Sequence, residues 1–377
     1  MAAPHDVCIR GAGIVGRTLA LLLARQGLRV ALVAPAQYTR RDADVRAYAI
    51  SPQNQQLLAD LRCWLPEADA TPVRSMVIYG DRRGVVHFDA DRLKVQALNW
   101  IVDVPALEQR LAEACSYQGA LETVDAPVPA PLTVICEGRA SRTRAELGVE
   151  FESIAYNQHA VATRLDCEQS HGQVARQWFT LDGEILAFLP LAGPAGHEVA
   201  VVWAARPAQA RAAAGWTDAE LAAHLHELSG GALGALEVRG ARGSWPLIVG
   251  QATRWVGAMP GAPNQSFALA GDAAHAMHPL AGQGLNTGLG DVAELAAVLA
   301  AREDWRPLHD RRLLRRYARA RQGDWQRMRW ATDGLQQLFT HPAPLAAALR
   351  NRGMTLFDYS GPLKHRVARL AMGDARP

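Results

Sequence analysis

A strand that runs directly into Gly11-Ala12-Gly13-Ile14-Val15-Gly16 and then into a helix leaves a chain few choices of fold. Asp6 to Arg10 is strand-like, and the segment after the glycines carries Leu19, Leu22, Leu23 and Gln26 at helical spacing before it stops at Gly27. Leu28 to Ala34 is the next strand. Strand, glycine turn, helix and strand in that order make a βαβ unit with a dinucleotide fingerprint on its first turn. Gly11 permits the tight turn, Gly13 lets a pyrophosphate approach the backbone, and Gly16 lets helix and strand pack closely. Ile14 and Val15 belong to the same turn. One part of the fingerprint differs. The acid that would end the second strand and hold an adenosine ribose falls at Ala34, which Pro35 follows, and Asp42 and Asp44 fall on the loop beyond. The ribose is therefore expected to be held otherwise, or the adenosine less tightly.

A second glycine-rich stretch lies late, from Phe267 to Asp291: FALAGDAAHAMHPLAGQGLNTGLGD. Phe267 to Ala270 is a short buried strand that breaks at Gly271-Asp272. A loop with Pro279 and Gly282-Gln283-Gly284 follows, and a helix is expected to begin near Leu285-Asn286. The stretch offers one carboxylate, then backbone amides on a glycine turn, then the positive end of a helix dipole. Asp272 suits a polyol hydroxyl, and Gly284 to Asn286 suit an anionic ring edge. Alone, the stretch reads as well as a glycine-rich connection.

Together the two stretches resemble the FAD-binding motifs of the class A flavoprotein aromatic hydroxylases. GDAAHAMHPLAGQGLN looks most like the branch that hydroxylates the ring of ubiquinone precursors, and the resemblance runs over nearly the whole chain. It implies an α/β fold with a Rossmann-like FAD-binding domain of the para-hydroxybenzoate hydroxylase type, drawn from residues 1–75, 100–150 and 256–340. A mainly antiparallel β-sheet substrate domain would come from 76–99 and 151–255, with a C-terminal helical segment at 341–377. Cofactor-binding roles carry over to Gly11, Gly13, Ile14, Val15 and Gly16, and to Asp272, Pro279, Gly282, Gln283, Gly284, Leu285 and Asn286.

Two further carry-overs are Arg46, within Asp44-Val45-Arg46-Ala47-Tyr48-Ala49-Ile50-Ser51, and Glu137, which stands where the family has an aspartate before glycine. The family's asparagine or glutamine near the start of the helix from Pro105 falls at Asp103 and Val104. The implied reaction uses FAD, dioxygen and NAD(P)H. The donor reduces the flavin, and one oxygen atom of dioxygen passes to the ring of a polyprenylated phenol or quinol. No catalytic side chain is assigned, and His275 and His278 read as structural. Two other readings stay open: a hydroxylase of the same fold acting on another aromatic, and a non-catalytic pathway partner that binds FAD weakly, motivated by Ala34, Val104 and Glu137.

The rest of the chain sets limits. A net charge of +3 over 377 residues gives no basis for nucleic-acid binding. Five scattered cysteines without a CxxC pair fit neither a disulfide framework nor a zinc site. No apolar run reaches the roughly 18 residues of a membrane span, no signal peptide precedes the strand at Asp6, and the expected compartment is the cytoplasm. Trp178, Phe188, Trp203 and Trp245 are candidates for a dry substrate wall, but core packing is the expected fate of each. Thr217 to Leu228 reads as a helix without a capping box. The arginines from Arg311 to Arg329 read as a solvated helix face or, alternatively, a surface for anionic lipid. The tail from Pro342 to Leu370 mixes apolar and basic residues, as an interfacial segment or as cover for the cofactor domain. The sequence is silent on oligomeric state.

Overall fold

Four short apolar runs, VCIR, VALV, LTVI and the end of APNQSFAL, are buried on both faces, as parallel strands covered by helices must be. A computed structural model describes residues 4–34, 44–81, 84–277, 283–340, 353–354 and 356–371. In it these runs form the centre of a six-stranded sheet. Its order is Val256–Met259, Ala262–Leu269, Leu132–Ile135, Val7–Arg10, Val30–Val33 and Leu121–Val124, parallel throughout except for the hairpin at the first edge. Helices Ile14–Arg25, Val104–Ser116, Gln283–Ala300 and Arg311–Thr340 share its core, through Leu19, Leu107, Leu111, Leu289, Leu313 and Tyr317. Between Tyr117 and Leu132 there is one strand, which closes the far edge of the sheet.

Register decides what stands beside what. Arg10 pairs with Ile135, and Ile135 pairs with Leu269, so three strands end side by side at one carboxyl edge. The turn at Gly11, the turn after Cys136 and the turn at Gly271 therefore emerge together, where open α/β sheets place their ligands.

The second sheet has eight strands. From the edge they are His275–Ala276, Leu236–Ala252, Phe151–Cys167, Glu198–Ala205, Ile185–Leu191, Val174–Phe179, Ser75–Tyr79 and Val85–Asp89. It is antiparallel except where Val174–Phe179 runs parallel to Ser75–Tyr79. Val249 and Ala252, at the inner end of one 17-residue strand, are rooted in the first sheet's core. The same strand then runs out through the second sheet, so the two sheets share a continuous backbone. A three-stranded antiparallel sheet of Ala47–Ile50, Asn99–Asp103 and Ala70–Val73 completes the fold.

Several local expectations change. Thr217 does carry a capping box, because Glu220 is the third helical residue and its carboxylate accepts from Thr217 N at 2.7 Å. The late helix begins at Gln283, two residues earlier than expected. Trp178, Phe188 and Trp203 do pack as core, under the helix Asp218–Leu228, as their apolar bulk favours, while Trp245 stays half-buried. Of the tail, Met354, Phe357 and Asp358 lie on the second sheet, while Ala368 shares a core with Ala47, Ala49 and Ile101 of the three-stranded sheet. Met354 is buried against Val86, Phe357 meets Phe88 edge-on, and Asp358 accepts from His87 N at 2.8 Å. Leu345, Leu349, Arg350 and Arg352 lie outside the described residues. No helix among the described residues is long and apolar enough to cross a membrane.

Candidate functional site

The first turn is shaped by missing side chains. Gly11 adopts φ +110°, and a Cβ there would lie 2.4 Å from the Cys136 carbonyl oxygen. A Cβ on Gly16 would lie 1.9 Å from the Gly11 carbonyl oxygen, so helix and strand meet with no room for a methyl group. Gly13 is different: a Cβ there meets nothing within 4 Å. Two glycines serve the protein's own packing, and the third faces open space at the start of the helix Ile14–Arg25. Ile14 is buried. Val15 is half-buried and touches the late motif, since a Cβ on Gly288 would lie 3.0 Å from a Val15 methyl group.

The late turn is shaped by side chains that reach it. Gly271 has φ +62°, which suits glycine, and it begins a single turn of 3-10 helix, Gly271–Ala273. Gly271 N donates to Asp291 Oδ2 at 2.9 Å, and the Ala273 carbonyl accepts from Arg144 Nη1 at 2.9 Å. The peptides on both sides of Asp272 are thus held by buried ionic side chains. The Asp272 carboxylate itself opens to solvent, yet protein crowds it. Loss of hydration raises its carboxyl above the usual range, against the opposing pull of His275, Arg139 and Arg46.

Asn286 faces the protein. Its Oδ1 accepts from Ser51 N and from Asn54 Nδ2, each at 2.9 Å, and its Nδ2 donates to the Ala49 carbonyl at 2.7 Å. It thereby locks the late helix to the Ala47–Ile50 strand and to the helix that Ser51 caps. Leu285 is buried. Among the described residues nothing lies within 4 Å of a Cβ on Gly284. Pro279, Gly282 and His278 lie outside the described residues, as does the side chain of Gln283.

Glu137 is fully engaged. Its Oε2 accepts from Ser141 Oγ at 2.8 Å and from Thr143 N at 3.1 Å, while Oε1 accepts from Thr143 Oγ1 at 2.5 Å and lies 3.1 Å from Arg10 Nε. Burial would raise this carboxyl, but the Thr143 and Ser141 bonds bring it below its ordinary value. Its direct partners are the turn beneath the site. Arg46 pairs with Asp44, Nη2 to Oδ2 at 2.5 Å, with Glu108 at 3.9 Å. Asp103 caps the following helix through Ala106 N and pairs with Arg164 at 2.8 Å.

Four residues in this arrangement were not among the expected cofactor-binding residues. Arg144 bridges the Arg139 and Ala273 carbonyls, Arg139 donates to the Pro246 carbonyl at 3.1 Å, and Asp291 and Arg321 form a buried pair at 2.8 Å. Asp291 was discoverable as the first acid in an otherwise apolar helix. Arg321 had seven arginine neighbours in sequence to hide among. His275 is buried, stacks on Trp255 and donates to Asp291, a structural placement. Among the described residues no group of three or more metal-ligating side chains occurs. A groove of 510 Å³ lined by Arg25, Leu61, Arg62, Arg110 and Tyr117 lies at the far ends of the helices and contains no residue of either motif.

The open Cβ positions at Gly13 and Gly284 and the accessible Asp272 make a cradle that fits an extended, anionic dinucleotide bearing a polyol. Comparison with known proteins agrees. A family model described as "FAD binding domain" matches residues 98–330. The chain is 30% identical to 3-demethoxyubiquinol 3-hydroxylase of Escherichia coli strain K12, covering 98% of this chain and 99% of that protein. It is also 30% identical to ubiquinone hydroxylase UbiL of Rhodospirillum rubrum, covering 98% and 89%. Among solved structures, p-nitrophenol 4-monooxygenase PnpA of Pseudomonas putida DLL-E4 superposes with a TM-score of 0.72 at 19% identity, covering 99% and 98%, which speaks to fold alone. PqsL of P. aeruginosa, in complex with 2-aminobenzoylacetate, does so with a TM-score of 0.74 at 21% identity, covering 93% and 99%. The chain belongs to the FAD binding domain family and, within it, to the hydroxylases of ubiquinone biosynthesis.

Proposed function

We propose that this member of the family is an FAD-dependent monooxygenase that hydroxylates the ring of a polyprenylated phenol or quinol in ubiquinone biosynthesis, with NAD(P)H as electron donor. The observation that carries the reading is the convergence of Gly13, Asp272 and the start of the Gln283–Ala300 helix at one sheet edge. We assign the pyrophosphate to the backbone of Gly11, Gly13, Ile14, Val15 and Gly16, and a ribityl hydroxyl to Asp272. The flavin pyrimidine edge is assigned to the backbone from Gln283 to Asn286, with Pro279 and Gly282 in the same loop. Arg46 adds positive charge beside Asp272, and Glu137 acts by holding the turn beneath it.

Bound FAD supplies the electron and oxygen transfer; the chain's own task is to orient the ring, exclude water and stabilise negative charge on reduced flavin. The free amides and dipole at the start of the late helix serve that last task. Trp245 suits the ring-facing wall, because it stays half-buried on the strand whose Pro246 carbonyl receives Arg139. We divide the chain accordingly: residues 1–75, 100–150 and 256–340 for the cofactor, 76–99 and 151–255 for the substrate, with Met354, Phe357 and Asp358 of the tail covering the substrate sheet.

The purified protein is expected to show flavin absorption bands, and Gly13→Val to be folded but colourless. Supplied with NAD(P)H, dioxygen and a polyprenylated phenol, the flavin-loaded protein should add one oxygen to the ring. NAD(P)H consumption with no ring product from any such phenol would transfer the reading to another aromatic.

A lipophilic substrate also requires a meeting place. We propose that the protein is cytoplasmic and works at the inner face of the membrane, through exposed Leu356, Tyr359 and Val367 beside Arg366 and Arg369. Binding to anionic liposomes should weaken as salt shortens the screening length below about 10 Å. The pair Leu356→Asp and Tyr359→Asp should abolish that binding and keep the flavin. Unchanged liposome binding in this pair would remove the tail from the membrane contact.

A further inference from the structure

Asp291 has no exposed surface, and three donors from three separate elements converge on it. Its Oδ2 accepts from Gly271 N at 2.9 Å and from His275 Nε2 at 2.6 Å, and its Oδ1 accepts from Arg321 Nε at 2.8 Å. Arg321 belongs to the long arginine-rich helix. Six of that helix's arginines, Arg311, Arg312, Arg315, Arg316, Arg319 and Arg327, are exposed, and among the described residues Arg321 is the one that turns inward. It is fixed on three sides, because Nη2 donates to the Thr287 carbonyl at 3.1 Å and Nη1 to Asp324 at 2.6 Å.

The neighbouring backbone makes room for this arrangement. A Cβ on Gly290 would lie 2.9 Å from Arg321 Nη2, and a Cβ on Gly288 would lie 3.2 Å from Gly271 Cα. Glycine at these two positions lets the guanidinium pass and lets the late helix touch the Gly271 turn. Behind the carboxylate, His275 stacks on Trp255 at 5.0 Å, and among the described residues its Nδ1 has no hydrogen-bond partner.

A buried ion pair is seldom worth its desolvation in stability, so its geometry needs another explanation. Here one end of the network is the amide of Gly271, one residue before Asp272. We propose that Arg321, through Asp291 and with His275, is a positioning residue that sets the Gly271 turn and so aims the Asp272 carboxylate at the bound cofactor. The arginine-rich helix thereby governs FAD affinity without touching FAD. This rests on the assignment of Asp272 to the cofactor made above.

The test is a double-mutant cycle on the full chain, with FAD dissociation constants read from flavin fluorescence. Arg321→Met is expected to weaken FAD binding about 10-fold in the wild-type background and less than about 3-fold in an Asp272→Asn background, since the two changes break one chain of contacts. Arg321→Lys, which keeps the charge but loses the fork, should recover part of the affinity and completes the same cycle should Arg321→Met not fold. An equal loss in both backgrounds would make Arg321 a purely structural residue and overturn the proposal, as would no loss in either. Wild-type protein that binds no FAD would instead overturn the cofactor assignment, and the proposal with it.

Discussion

The Gly11–Gly16 turn and the Gly271–Ala273 turn stand on the same sheet edge and are built on opposite principles. The first is made by absence: Gly11 and Gly16 approach backbone so closely that a methyl group would overlap it, and no side chain outside the turn is needed. The second is made by reach, since Asp291 holds it from 20 residues downstream and Arg144 from 129 residues upstream. Each strategy has a characteristic weakness. A steric turn fails when anything is added to it. An ionic turn fails when a distant partner is removed, and it responds to pH.

The largest effect should come from the ionic side. Asp291→Asn removes the buried counter-charge of Arg321, which keeps only Asp324, and offers one acceptor oxygen where three donors converge, so a loss of about 3 kcal/mol in unfolding free energy is expected. Burial alone would raise the Asp291 carboxyl, but His275 and Arg321 hold it below its ordinary range. Its stabilising contribution is therefore complete above the unfolded value of about 4 and disappears as pH falls through the lower folded value. Denaturation at a series of pH values should show a constant gap between wild type and Asp291→Asn near neutrality that closes below about pH 4. A gap independent of pH down to acid unfolding would mean that the late turn is steric too.

Next comes Gly16→Ala. A methyl group 1.9 Å from the Gly11 carbonyl oxygen forces backbone apart, at a cost of about 1–3 kcal/mol. Gly13→Ala is the control, and its apoprotein should melt within about 0.5 kcal/mol of wild type. Equal destabilisation by the two changes would erase the distinction between packing glycine and ligand-facing glycine.

The smallest effect concerns the missing acid. Ala34→Glu should strengthen FAD binding by about 1 kcal/mol, measured by titrating apoprotein, if the ribose lies against the end of the second strand. Affinity that stays level or falls would show that the ribose is held elsewhere.

The chain's order of strands and helices was readable because each early signal is local. Apolar strands, a glycine turn and a leucine-spaced helix lie within 29 residues from Asp6 to Ala34, and the family's fold follows from their pairing with the late stretch. Local readings failed where a side chain's partner is remote or the count is off by a residue. The acid at the third position of the Asp218–Leu228 helix was overlooked, although Thr217 and Glu220 stand three apart in plain view. Trp203 and Trp245 are alike in sequence. One is core and the other half-open, because they sit on different strands under different covers.

By itself the sequence determined which turns must be glycine, since steric exclusion acts between neighbours along the chain, and placed Asp272 on the second of them. Only the tertiary structure decided that Glu137 turns into the protein, that Asn286 clamps two elements from below, and that Arg321, from a run of arginines, turns in to pair with Asp291. The physical reason is that charges and amides spend their hydrogen bonds on whatever lies nearest in space. What is nearest depends on the register of strands Arg10, Ile135 and Leu269, which brings together residues separated by more than 250 positions.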